Sequence, residues 1–504
     1  MILTRYAHRI GSEKFDIGCL KNIKFKIDLK PNSKPVRQRI IPLDDKNKEE
    51  LDKTIDLLLK YGILIPVETT EWATAVFIVT NHDGSSRMVN NYTNLNKETK
   101  DDLYPCPSVD DMLGKFNNKR IFSQFDIIKA FFNIPVDKET QKLLTITTHR
   151  GTFTWTRMPF GPKNAPATWS KASDLVFNQC KHLIKYVDDL IIATEDVESH
   201  FEAIEEFFKR LELHNLKVKI SKCKFFVDSV TFLGNKIDKN GIRPDDEYIR
   251  KLLDFNPPKS LKEMRRLCGC LEWISKYVFY LKELMIPFRP LLKQSKKRRF
   301  EWNESCDKAL TRIKAILKQC EILKHPNFNK PFIIHCDSSQ YSYGAILLQQ
   351  SDEDENKYNI INMYSKYWSE PQEKAHITKK EFMCVIETIA KWKRYLTTRK
   401  FTISTDSKNI PYLFERSNKG LLELTQHQRW VELLRGYDFE IKHIPGISNK
   451  VADFLSRIYK DDLQRKQEEV KITNDQLYLD HDGGLTIDSN QQFTMLNKIF
   501  RNIE

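Results

Sequence analysis

The sequence predicts a multidomain protein of mixed α+β and α/β class. Three observations carry that expectation. The chain has 504 residues, enough for several cores. Strand and helix signals alternate in two separate blocks, the second running from near Pro331 to near Tyr459. Each block holds its own set of acidic residues, most of them at the ends of apolar strands.

Composition narrows the class. Apolar residues make up 40% and charged residues 30%, the balance of a soluble globular chain. No run of about 18 apolar residues occurs, so no membrane partner is expected. Met1 to Ile10 has basic residues but no apolar stretch after them, which argues against secretion. The ten cysteines form no CxxC, and only Cys268 and Cys270 lie close together. That excludes a spacing-defined zinc cluster and points to a reducing compartment.

The net charge is +14, and it is uneven. Asp461–Glu504 carries five Lys/Arg against nine Asp/Glu, which leaves 77 against 59 in the rest. A large basic body suits a polyanion, because each neutralised phosphate releases counterions.

The elements follow in order. Residues 1–30 read as an irregular, partly stranded lead-in, and Pro31 to Pro42 as extended. Lys46 to Tyr61 is a helix, with Leu51, Ile55, Leu58 and Leu59 at helical spacing and Gly62 as its stop. Val76–Thr80 and Arg87–Val89 are strands joined by Asn81-His82-Asp83-Gly84, a hairpin signal. A strand spans Ile121–Asp126, and a helix spans Ala165–Cys180. Strands Ile184–Val187 and Leu190–Thr194 hinge at Asp188-Asp189, and Ser199–Leu213 is an amphipathic helix. Asn256-Pro257-Pro258 punctuates the chain before a helical stretch, Leu261 to Tyr280. The basic run Lys296-Lys297-Arg298-Arg299 marks a linker. The tail after Asp461 is acidic and rich in Gln and Asn, the composition of a flexible segment.

Lys185-Tyr186-Val187-Asp188-Asp189-Leu190-Ile191-Ile192 is the sharpest local feature. Apolar arms bury a hairpin whose tip presents two carboxylates. Alone this is an ordinary Asp-Asp turn. Phe125-Asp126 ends another apolar strand, and if the strands are neighbours three carboxylates converge. Such a charge cluster calls for cations, and oxygen ligands suit Mg²⁺. Two ions about 3.5–4 Å apart can hold the attacking and leaving oxygens of an in-line phosphoryl transfer.

Phe125-Asp126, Met158-Pro159-Phe160-Gly161 through Asn164-Ala165-Pro166, Tyr186-Val187-Asp188-Asp189 and Phe232-Leu233-Gly234 occur in one order and spacing. In that order and spacing the chain resembles reverse transcriptases, and among them the gypsy-type (metavirus) family of long-terminal-repeat retrotransposons, from about Ile23 to Tyr459. The resemblance implies a right-hand polymerase followed by a ribonuclease H-like domain. Fingers and palm would occupy 1–240, thumb and linker 241–325, the ribonuclease H domain 326–460, and the tail 461–504.

The resemblance also implies roles. Asp126, Asp188 and Asp189 would be the polymerase metal ligands. Phe131 would gate against a ribose 2′-OH, Phe160 and Gly161 would line the nucleotide pocket, and Arg87 would meet the incoming triphosphate. Tyr186, beside the Asp pair, would face nucleic acid. Arg265, Gly269 and Trp273 share a helix face at i, i+4, i+8, where the family's thumb helix tracks the primer–template minor groove. Two departures stand out. Asn81 and His82 replace the usual Lys-Lys, and Asn90-Asn91-Tyr92-Thr93 replaces Val-Asp-Tyr-Arg; Lys97 or Lys100 is placed to compensate.

The second block repeats the strand-end pattern. Phe332–Asp337 and Phe401–Asp406 are apolar strands ending in Asp, Glu381 starts a helix Thr378–Leu396, and Asp453 lies in a terminal helix Asn449–Arg457. Thr378-Lys379-Lys380-Glu381 also fits a capping box. Together the four carboxylates resemble those of ribonuclease H. His443, ten residues before Asp453, would sit near the second metal, and Ser407 replaces the family's usual His after Asp406.

The expected function is therefore RNA- and DNA-templated DNA synthesis with ribonuclease H cleavage. The expected cofactor is Mg²⁺ at both sites, with Mn²⁺ as a substitute. Partners are an RNA template, a DNA primer, an RNA–DNA hybrid and dNTPs, and a homodimer on substrate. No aspartic-protease Asp-Thr/Ser-Gly and no integrase His/Cys cluster is found, so the chain reads as part of a polyprotein, cytoplasmic within virus-like particles. Three alternatives stay open: a pararetrovirus polymerase, a palm polymerase of another kind, and a polymerase-impaired nucleic-acid-binding or ribonuclease H-only relic. The second carboxylate set speaks against another palm polymerase; the altered fingers mildly favour the relic, but the presence of all seven carboxylates argues against it, because a relic has no reason to retain clustered charge.

Overall fold

The structure is a computed structural model. It describes residues 2–444 apart from 12, 14, 69, 81–85, 106, 279–280, 293–299, 319–321, 339–341, 353–356, 413–429, 431 and 433, together with 477–479 and 485–487. The hairpin loop with Asn81 and His82, the basic run Lys296–Arg299, and Asp453 with its helix lie outside the described residues. The chain divides into two compact units, Met1–Val230 and Thr231–Glu504.

In the first unit, helix α1 (Asp45–Lys60) begins where the Asp44 side chain accepts from the Asn47 N–H, and it buries Leu51, Ile55 and Leu58. Gly62, at φ 63°, ends it in the left-handed region. Strands β1 (Leu64–Pro66), β2 (Thr74–Thr80), β3 (Ser86–Asn90), β5 (Ile146–Thr148) and β6 (Gly151–Trp155) make one sheet in the order β1-β6-β5-β2-β3. Strand β4 (Ile121–Phe125) belongs to a second sheet with β7 (Leu183–Tyr186), β8 (Asp189–Thr194) and β9 (Lys224–Val227), in the order β7-β8-β4-β9.

Helices α2 (Ala165–Phe177) and α3 (Val197–Leu213) pack beneath the second sheet. Phe207 of α3 stacks on Phe177 at 5.3 Å and lies 4.3 Å from Phe125. These aromatics bury the underside of β4, so the strand's end is held by packing. The lead-in is part of the same core: Tyr6, Phe15, Leu20, Phe25 and Ile27 are buried with Leu51, Phe125 and Phe207.

In the second unit, β10 (Asn235–Asp238) and β11 (Gly241–Pro244) form an antiparallel hairpin. Helix α4 (Leu261–Ile274) starts at Ser260, whose side chain accepts from the Glu263 N–H, and it ends six residues before the expected Tyr280 in a 3₁₀ turn, Ser275–Tyr277. A five-stranded sheet follows: β12 (Phe332–Ser338), β13 (Ser342–Gln350), β14 (Tyr358–Tyr367), β15 (Phe401–Thr405) and β16 (Phe439–His443), in the order β14-β13-β12-β15-β16. β12, β15 and β16 run parallel. Helix α5 (Ile377–Lys391) buries Phe382, Cys384, Val385 and Ile389 in the core that also holds Phe332, Ile334 and Ile403. Within the acidic tail, Leu477–Leu479 pairs antiparallel with Leu485–Ile487.

Candidate active sites

Strand register assembles the first site. β4 and β8 are antiparallel with Phe125 opposite Leu190, which sets Asp126, the next residue, across from Asp189. β7 and β8 pair Tyr186 with Asp189, so Val187 and Asp188 form a two-residue loop. Asp126, Asp188 and Asp189 thus share one end of the sheet. Val187 takes φ 50°, a strained conformation for a β-branched residue. The Trp169 indole N–H donates to the Val187 carbonyl at 2.7 Å and holds that turn.

The electrostatics agree with the register. Burial, then the Asp126 charge, raises the Asp188 pKa; burial, then Asp188 and Asp126, raises that of Asp189. Lys222 reaches Asp126 Oδ2 with its ammonium at 3.2 Å. The Lys219 N–H donates to the Asp126 carbonyl at 2.9 Å. Among the described residues no three His, Cys, Asp or Glu side chains are gathered closely enough to hold a metal ion as they stand. An all-carboxylate donor set in mutual repulsion, with one member steadied by a lysine, fits a hard divalent cation. Lys222 was missed from the sequence because 96 residues separate it from its partner.

Phe131 is 6% exposed and stacks under Phe160 at 4.8 Å, while Phe160 is 49% exposed. Phe160 therefore presents the accessible ring. Gly161 has φ 112°, and a Cβ there would lie 3.0 Å from the Tyr92 ring. Its carbonyl accepts from the Asn96 side chain at 3.0 Å, and Asn96 Oδ1 accepts from the Lys163 N–H at 2.8 Å. Asn96 thus ties the Gly161 and Lys163 backbone together, and it carries no sequence signal of its own. The altered fingers residues form their own pair, with the Thr93 hydroxyl donating to Asn91 Oδ1 at 2.7 Å. Arg87 lies exposed on β3 opposite Val79. Tyr186 is half-buried.

On α4, Arg265 and Gly269 are exposed, while Trp273 is half-buried. Its ring lies 4.5 Å from that of Tyr248, and a Cβ on Gly234 would sit 3.1 Å from it. Trp273 thus covers the Phe232-Leu233-Gly234 turn, with Leu233 at φ 51° and Gly234 at φ 78°.

The second site is also set by register. Parallel strands β12 and β15 align His335 with Ser404, so Asp337 and Asp406, each two residues further on, end up together. β16 aligns His443 with Thr405, which places the exposed His443 at that same end. Glu381, in the first turns of α5, accepts from the Ser407 hydroxyl at 2.6 Å. Burial and the Asp406 charge raise its pKa, and the Ser407 bond opposes them. The capping-box reading is corrected: His376 caps α5 by accepting from the Thr378 N–H, and Glu381 faces Ser407 instead. Asp453 lies outside the described residues.

Two stretches of the chain match known protein families. Residues 79–237 match the family described as reverse transcriptase (RNA-dependent DNA polymerase), and residues 302–403 match that described as RNase H-like domain found in reverse transcriptase. The chain therefore carries a region matching the reverse transcriptase family, followed by a region matching the RNase H-like domain found in reverse transcriptases. Its relatives include the transposon Tf2-3 and Tf2-7 polyproteins of Schizosaccharomyces pombe, each 30% identical over 443 residues, 87% of this chain and 33% of the relative. These relatives are of the gypsy type. The chain spans about a third of their length.

Among solved structures, the foamy viral protease-reverse transcriptase in complex with double-stranded DNA is similar with a TM-score of 0.79 at 21% identity, over 88% of this chain and 77% of that one. The same enzyme in complex with an RNA/DNA hybrid is similar with a TM-score of 0.78 at 20% identity, over 93% and 62%. At such identity the likeness establishes the fold.

Proposed function

We propose that the chain is an RNA- and DNA-templated DNA polymerase with ribonuclease H activity, working on retrotransposon RNA. The observation that carries the reading is the register that sets Asp126 across from Asp189, beside Asp188, at one sheet end. A pair of Mg²⁺ ions held there would neutralise the phosphate and lower the barrier to attack by a primer 3′-OH on a dNTP. Lys222 steadies Asp126, and Trp169 holds the turn that presents Asp188. Phe160 and Gly161 shape the nucleotide pocket, Phe131 backs Phe160, and Arg87 meets the triphosphate. Arg265 and Gly269 offer an exposed helix face to the primer–template, and Tyr186 lies beside the carboxylates.

Asp337, Glu381, Asp406 and Asp453 would hold the divalent ions of the nuclease, with Ser407 orienting Glu381 and His443 serving proton transfer at the edge. Hybrid recognition rests on shape and 2′-OH groups. We place the protein in the cytoplasm, within virus-like particles, and assign it a homodimer on substrate.

Primer extension on a homopolymer RNA template with Mg²⁺, with hybrid cleavage followed in the same tubes, tests the reading. The parent extends and cuts; Asp188→Asn cuts without extending. A parent that cuts but never extends would show that the neutral Asn91–Thr93 pair marks a polymerase-impaired enzyme. Loss of both activities in Mg²⁺ and Mn²⁺ would sink the proposal.

A further inference from the structure

Asn133 is fully buried two residues beyond Phe131 and uses its whole side chain. Its amide nitrogen donates to the carbonyls of Ile128, Lys129 and Ala130 at 2.9, 3.1 and 3.2 Å. Its oxygen accepts from the Gly18 N–H at 2.8 Å. The three carbonyls belong to the turn that follows Asp126, where Lys129 takes a left-handed φ of 46°. A lysine is not at home there, and no Asn or Gly sits at that position to favour it.

The turn is pinned on its other side by backbone. Ile128 N–H donates to the Lys217 carbonyl at 3.0 Å, and Lys219 N–H to that of Asp126 at 2.9 Å. Between these anchors the path from Asp126 to the 3₁₀ segment Ala130–Asn133, which carries Phe131, has one shape.

The lead-in closes the frame. Leu20 N–H donates to the Asn133 carbonyl at 2.8 Å, Cys19 N–H to that of Asn215 at 3.1 Å, and an Arg157 N–H to that of Gly18 at 3.3 Å. A Cβ on Gly18 would lie 1.6 Å from the Asn215 carbonyl oxygen, so only glycine lets the lead-in approach this closely.

We infer that Asn133 is a positioning residue for nucleotide selection, and that the lead-in, through Gly18 and Leu20, is part of the same device. The side chain sets the offset between Asp126 and the Phe131–Phe160 pair. A small change in that offset alters how a sugar seats against the metal-facing carboxylates, because catalysis is sensitive to misplacement on the scale of 1 Å. This rests on the polymerase reading above.

The test uses the full chain with Asn133→Ser, which keeps one donor in place of an amide. Single-nucleotide insertion of dNTP and rNTP is measured, with a thermal melt as the folding control for the first unit and hybrid cleavage by the same preparation as the control for the second. The expected result is a raised KM for dNTP and a dNTP-over-rNTP preference lowered by about tenfold, with hybrid cleavage kept within about twofold of the parent. Gly18→Ala removes the lead-in's bond and leaves the three carbonyl bonds in place. It should shift the preference in the same direction, and it gives the reading if Asn133→Ser does not fold. An unchanged preference in the folded variants, whether activity falls with stability or stays at the parent level, overturns the inference. A parent that inserts no nucleotide at all overturns the polymerase reading itself, and this inference with it.

Discussion

Trp169 donates its indole N–H to the carbonyl of Val187 at 2.7 Å, and so a helix holds the strained residue that precedes the paired aspartates. Val187 keeps its positive φ because the surrounding packing over-determines it. Trp169→Phe keeps the ring and loses the donor. It should lower polymerase turnover with hybrid cleavage unchanged, and cost about 1 kcal/mol of stability in the first unit. Steady-state kinetics of both activities and a denaturant melt check this. Equal losses in both activities would refute it.

Asp188 and Asp189 are held above the ordinary carboxylate range by burial and by neighbouring charge. A carboxyl whose pKa rises on folding stabilises the fold while protonated. That contribution is complete below its ordinary value of 3.8 and is lost as pH rises through the raised pKa. In EDTA, Asp189→Asn should therefore raise Tm near neutral pH and leave it unchanged below about pH 4. Mg²⁺ should raise the Tm of the parent at neutral pH more than that of the variant. Thermal melts across pH, with and without the ion, decide.

His200 is fully buried, with Ser123 and Thr194 hydroxyls each 2.7 Å from a ring nitrogen. Burial pushes its pKa down from 6.5 to about 4. A histidine shifted this way stabilises the fold above 6.5, and the contribution drains away as pH falls toward 4. His200→Gln should flatten the loss of stability over that window. A melt series with the same acid limb in both proteins would rule this out.

The strand-end aspartates were legible because an apolar strand that stops at an acid marks one sheet edge, and pairing does the rest. Asp126 against Asp189, and Asp337 beside Asp406, follow from register alone. What the sequence hid was contact at long separation. Lys222 meets Asp126, Asn96 props Gly161, and Ser407 claims Glu381, although Thr378-Lys379-Lys380-Glu381 spells a local cap. Trp273 shows the limit of periodicity: the spacing puts it with Arg265 and Gly269, but the side chain leans onto Gly234. A helix face is a direction, and a large ring at its margin goes where it finds a surface.

Ser407→Ala removes the donor that opposes the rise in the Glu381 pKa. The acid limb of the hybrid-cleavage pH profile should move upward, and more Mg²⁺ should be needed for half-maximal cleavage. DNA synthesis should not change. A profile that stays in place would show that the hydroxyl has no part in orienting the carboxylate.

Between residues 21 and 39 the lead-in alternates: Phe25 and Ile27 point into the core, while Lys24, Lys26, Lys30, Lys34, Arg37 and Arg39 are exposed. Such a ribbon suits phosphate contact without base readout. Lys24→Glu with Lys26→Glu should weaken primer–template binding uniformly across sequences. It should also reduce the salt slope of log K by about one per lysine lost. An unaltered slope would mean the ribbon is only solvated.

The first core runs from Tyr6 through Val218, whereas the reverse-transcriptase match begins at residue 79. Recognisable ancestry and mechanical autonomy therefore have different borders in this chain. A gene fragment trimmed to the recognisable part would lose Phe15, Leu20, Phe25, Ile27 and helix α1, and it would expose the aromatic surface they cover. Such a remnant would meet an aggregation problem before any catalytic one. Whoever recombines this chain with other modules has to carry the featureless opening along, since it is structural cargo that the recognisable motifs leave out.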